Sequence, residues 1–183
     1  MGLFDKLKNS TQQQSNKDEA TFVFARLPES LDELKALPEA TLDTPFKAAA
    51  LTLCALCAYA ADATIGTEML NFLRGPGGPM SPQDLSFLKD RFRDGKFYVP
   101  FSYFAGATPD NDYTPSEPFT VRITANPYSY QSEGYATLYI ASGGADSPRP
   151  ITLRQKASTN QWFLNQQSLL VGVRDPKSSN PWA

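Results

Sequence analysis

The stretch PFTVRITANPYSYQSEGYATLYIA, residues 118–141, decides the fold. Apolar side chains recur at every second position, first at Phe119, Val121 and Ile123, then at Leu138 and Ile140. A period of two marks a strand with one buried face and one wet face. The connection NPYSYQSEG is too short to hold a crossover helix, so the two strands run antiparallel.

The same period extends outward in both directions. PITLRQK (150–156) and QWFLNQQ (161–167) read as further strands, as does FYVPFSYF (97–104) on the N-terminal side. That predicts five strands, joined by loops rich in Pro, Gly, Asn, Asp and Ser. Ile151 and Leu153 join the core face, which is extended by Trp162 and Leu164, or by Phe163 on the opposite face. Arg122, Tyr135, Thr137, Tyr139, Arg154 and Lys156 fall on the outer face. Before Gly95 the period is helical. Asp43 or Thr44 offers an N-cap ahead of Pro45, and KAAALTLCALCAYAAD is apolar nearly all round, as the buried spine of a core must be. Ser30 with Glu33 marks a brief helix before it, TEMLNFL marks one after it, and Ser81-Pro82 with Asp84 opens DLSFLKDRFRDG, which Gly95 closes. TFVFARL (21–27) has the character of a short strand. Helices first and strands afterwards give an α+β class, with N-terminal helices packed on one face of an antiparallel sheet of about five strands.

Residues 9–19, NSTQQQSNKDE, hold no apolar side chain to offset the entropy of ordering. Residues 1–19 are therefore expected to be a flexible leader and 20–183 a single domain. Leu3, Phe4 and Leu7, with Lys6 and Lys8 opposite, begin an amphipathic pattern too short to anchor a protein alone. The longest apolar run, Ala48–Ala61, falls short of a membrane span.

Composition removes several chemistries. The 183 residues include no histidine, which excludes Ser–His–Asp and Cys–His catalysis and any histidine-bearing zinc site. Cys54 and Cys57 lie within an apolar run and read as buried structural thiols, in keeping with a reducing cytoplasm. The net charge of -2 points away from a generic nucleic-acid binder. RGPGGPM (74–80) suggests a phosphate loop, but it follows a helix, lacks the closing Gly-Lys-Ser/Thr, and loses two donors to Pro76 and Pro79. It reads as punctuation between helices, with Gly75 as a C-cap. No motif calls for a cofactor or a metal.

SYFAGATPDNDYTP, NPYSY, SGGADSPRPITLRQK, QWFLNQQSLL and the ending VRDPKSSNPWA resemble an uncharacterised bacterial domain family of unknown function, over about residues 20–183. The resemblance implies a bacterial cytoplasmic domain and transfers no activity, cofactor, partner or site residue.

Two surfaces are candidates. In a simple meander, loop 105–117 lies beside loop 142–149 and gathers Asp110, Asp112, Tyr113, Asp146 and Arg149 at one sheet edge. These could bind a ligand or partner, act as acid and base with Arg149 stabilising charge, or hold a hard cation between Asp110 and Asp112. Alternatively they shape turns, with Arg149 paired to Asp146. The second surface is the outer sheet face, where Arg122, Tyr135, Tyr139, Arg154 and Lys156 suit protein docking, or stacking with single-stranded nucleic acid. Trp182 is expected to fold back over a core edge. The functional expectation is a non-enzymatic cytoplasmic module that binds a ligand or another protein. The alternative is a small histidine-free enzyme or ligand-binding protein using Asp, Tyr and Arg at the loop edge.

Overall fold

In the computed structural model, which describes residues 18–183, the chain forms β1 (Glu19–Phe24), α1 (Leu31–Ala36), α2 (Pro45–Ala61), α3 (Ala63–Arg74), α4 (Pro82–Arg91), β2 (Phe119–Thr124), β3 (Tyr135–Ile140), β4 (Arg149–Lys156) and β5 (Gln161–Gln167). The strands form one antiparallel meander in the order β1-β2-β3-β4-β5. The α+β class and the five-stranded antiparallel sheet stand as expected.

The Thr44 side chain accepts from the Lys47 amide and starts α2, with Pro45 in the first turn. Thirteen of its seventeen residues are buried, and it touches all five strands. The helix is therefore the inner layer of the core, facing Val121, Ile123, Leu138, Ile140, Ile151 and Leu153, all at 1% exposure or less. Burying that much apolar surface is the main stabilising term of the fold. Cys54 and Cys57 are free thiols inside this layer. Among the described residues no helix is long and apolar enough to cross a membrane.

Residues 97–104 are not a strand. They lie in two short 3₁₀ turns, Arg93–Tyr98 and Pro100–Tyr103, and the fifth strand is β1. The physical reason is Pro100, which cannot donate to a ladder and is held at a helical φ. The segment acts as an apolar plug, with Tyr103 and Phe104 buried and Phe104 edge-on to Phe119 at 5.7 Å. The helix expected to run to Gly95 ends at Arg91, and Asp94 and Gly95 both take left-handed conformations as the chain turns. The leader expected at 1–19 lies outside the described residues except at its end, where Glu19 already begins β1.

The sheet is divided into two wings. β2 and β3 share only two register pairs, Ile123 with Ile140 and Thr124 with Tyr139. Nearer its start, β2 offers the Thr120 carbonyl to the Ala105 amide instead, at 2.9 Å. β3 in turn gives the Thr137 amide to the Ser129 carbonyl at 2.9 Å. The β2–β3 connection thus lies beside β3 where β2 has left it, and this places the site described next.

Candidate functional site

The meander brings loops 105–117 and 142–149 together. The Gly143 amide donates to the Ser102 carbonyl at 2.8 Å, and the Ser142 hydroxyl meets that of Ser102 at 2.7 Å. A Cβ on Gly144 would sit 2.0 Å from the Tyr113 hydroxyl, so only glycine permits the approach. Asp110, Asp112, Tyr113, Asp146 and Arg149 do converge on one edge.

They converge on the chain's own C-terminal segment. Arg149 donates to the carbonyls of Val171 (2.9 Å) and Gly172 (2.8 Å) and to the Ser147 hydroxyl. The Tyr113 hydroxyl donates to the Arg174 carbonyl at 2.6 Å. Asp146 pairs with Arg174 at 2.7 Å, not with Arg149. Asp110 pairs with Lys177, and Asp112 accepts from the Ser178 hydroxyl. Tyr98 stacks on Tyr113 at 5.2 Å and donates to Asp175 at 2.5 Å, while Tyr103 donates to the Leu169 carbonyl. Burial raises the hydroxyls of Tyr98, Tyr103 and Tyr113 above the ordinary tyrosine value, and the Asp175 carboxylate adds to the rise at Tyr98. Sequence reasoning found five residues here and missed Tyr98, Arg174 and Asp175. Trp182 does not fold back onto the core; it is 93% exposed, whereas Leu169 and Leu170 earlier in the same segment are buried. Among the described residues no group of three or more His, Cys, Asp or Glu side chains could hold a metal ion.

On the outer sheet face the second set is brought together only in part: Arg154 and Lys156 line one concavity with Arg74, and Arg122 and Tyr139 lie apart from it. Arg122 pairs with Glu19 at the β1–β2 end. Arg154 lies 5.5 Å from the centre of the Tyr135 ring, a cation–π contact. Lys156 is exposed at the end of β4, and Tyr139 is half-buried opposite Pro150. Beside Tyr135 a hollow of about 380 Å³ opens. Thr137 and Thr152, whose hydroxyls are 3.1 Å apart, belong to its lining with Tyr135. The β2–β3 connection supplies Tyr128, Ser129, Gln131 and Ser132.

Local chemistry builds that connection. Asn126 accepts from the Tyr128 amide through its side chain and from the Ser129 amide through its carbonyl, and its own amide donates to the Ser129 hydroxyl. Pro127 fits the second position of such a turn. The fold leaves Tyr128 68% exposed beside the hollow. Among the described residues, the side chains of Tyr128, Gln131, Ser132 and Tyr135 make no hydrogen bond within the protein. The NPYSY run was visible in the sequence; its position over β3 was not.

A third concavity, of about 490 Å³, lies among Leu27, Pro28, Ala58, Ile65, Phe101 and Phe119. Of its polar rim, Arg26 pairs with Glu33 and Asp62 caps α3, while the exposed Glu29 side chain has no partner among the described residues.

The family model described as a domain of unknown function (DUF6935) matches residues 26–177, from the β1–α1 connection into the C-terminal segment. No curated protein and no solved structure matches the chain.

Proposed function

For this chain, which belongs to the DUF6935 family, a domain of unknown function, we propose a non-enzymatic binding module that uses the outer sheet face around Tyr128 and Tyr135. The observation that carries the reading is a contrast in polar groups. At the loop edge the carboxylates, Tyr113 and Arg149 are engaged by residues 171–178. In the outer hollow, the side-chain hydroxyl and amide groups of Tyr128, Gln131, Ser132 and Tyr135 have no hydrogen-bond partner among the described residues. A concave site with placed but unsatisfied polar groups is what a small ligand needs for orientation. The concavity by Phe101 is lined mainly by apolar side chains and offers one such group, the Glu29 carboxylate. Catalysis is disfavoured because, among the described residues, no carboxylate, amine or thiol lines the hollow to activate its hydroxyls. A bacterial cytoplasmic setting belongs to the same reading and is supported by two thiols left free within α2.

The test is amide NMR of the full-length protein with mixtures of neutral saccharides, nucleotides and short peptides. The expected result is that one class moves the resonances of residues 128–137 and 150–154, with the ligand recovered unchanged. Conversion of a ligand, or shifts confined to other surfaces, would refute the reading.

A further inference from the structure

Resting on that reading of the outer face, we infer that the hollow beside Tyr135 takes an uncharged polyhydroxylated ligand, a saccharide of about two rings. At about 380 Å³ it falls within the size range of small-molecule sites. The lining chemistry then selects among ligand classes.

Among the described residues, no carboxylate, ammonium or guanidinium lines the hollow. Arg154, outside the lining, is placed over the Tyr135 ring. A phosphate chain would therefore enter without the counter-charges that dominate nucleic-acid affinity. A hydrocarbon fails for the opposite reason: it would strip water from the hydroxyls of Tyr128, Ser132 and Tyr135 and return no hydrogen bond, an uncompensated cost.

A saccharide satisfies both constraints. Each of its hydroxyls donates and accepts, as do the tyrosine and serine hydroxyls and, through its two ends, the Gln131 amide. Its C–H faces pack on aromatic rings, and Tyr128 offers a ring already 68% in water. The rigid part of the lining is provided by the paired hydroxyls of Thr137 and Thr152 on adjacent strands, so the sheet fixes their spacing. The Asn126–Ser129 turn holds the adaptable part against it.

The probes are maltose, cellobiose and diacetylchitobiose, with an oligothymidine and a Gly-Ser-Asn peptide as competing classes. Each is titrated into the full-length protein to about 10 mM, beyond the millimolar affinity that a few contacts provide. At least one disaccharide is expected to shift the amides of residues 128–137. Tyr128→Ala should weaken it about tenfold and Tyr128→Phe much less, as stacking requires. Thr137→Val should also weaken binding, with the melting transition checked to confirm folding. Tyr128 is exposed, so its replacement leaves the core intact. If the peptide or the oligothymidine shifts these amides and no disaccharide does, the saccharide assignment is overturned and the binding reading stands. If nothing shifts them, both fall.

Discussion

At the scale of single residues, the loop edge depends on one missing methyl group. Gly144 faces the hydroxyl of Tyr113, which is 2% exposed, stacked on Tyr98 and bonded to the Arg174 carbonyl. The ring cannot swing aside, so Gly144→Ala should destabilise the protein by about 1–3 kcal/mol, read as a lower midpoint in urea. Arg149 makes a second residue-scale case. Its guanidinium spans two successive carbonyls, Val171 and Gly172, a fork that lysine cannot reproduce. Arg149→Lys should therefore loosen the C-terminal segment nearly as much as Arg149→Ala, measured as faster tryptic cleavage after Arg174 and Lys177. The sequence made Asp146 the natural partner of Arg149 because both are charged and near in the chain. Main-chain carbonyls carry no letter in a sequence, so the true acceptors were invisible to it.

At the scale of elements, caps were legible and strands less so. Ser30, Thr44 and Ser81 all cap the helices assigned to them, since a cap is written within four consecutive residues. Ser81→Ala should cost about 1 kcal/mol, seen in thermal unfolding. Asp84 closes the same box. Its carboxyl is held below the usual carboxylate range, first by the Ser81 amide and then by the Ser81 hydroxyl, with Arg74 assisting. A lowered folded value means this stabilisation is present above the unfolded value of about 3.9 and is lost as pH falls through the folded one. Asp84→Asn should flatten that part of the acid limb of stability against pH. FYVPFSYF misled because its alternation is real but its proline forbids a ladder, and pattern alone does not weigh one against the other. β1 was under-read for a different reason: its partner β2 lies about 95 residues away, and pairing at that distance has no local signature.

At the scale of the whole molecule, the C-terminal segment is fastened by tyrosines. Tyr98, Tyr103 and Tyr113 each donate a hydroxyl proton to it or within it, and burial is the main cause that raises each of them above the ordinary value of about 10. A raised folded value means the contribution is complete below about pH 10 and is lost as pH rises through the folded values. Tyrosinate formation followed by ultraviolet absorbance should therefore coincide with release of residues 168–183 to carboxypeptidase. In Tyr98→Phe/Tyr113→Phe protein that alkaline release should be largely lost, because two of the three titrating groups are gone. The ion pairs Asp146–Arg174 and Asp110–Lys177 are exposed and add little.

The distance between β1 and β2 also bears on how the chain is made. Among the described strands Glu19–Phe24 is made first, yet the strand it pairs with follows only after α1 to α4. At about 5–20 residues per second, β1 waits roughly 5–20 s for its partner. Closing that span costs about 2 kcal/mol more than closing a ~10-residue loop. Of the five strands β1 thus waits longest for a partner, and in the interval the newborn chain carries an unpaired strand bearing Phe22 and Phe24.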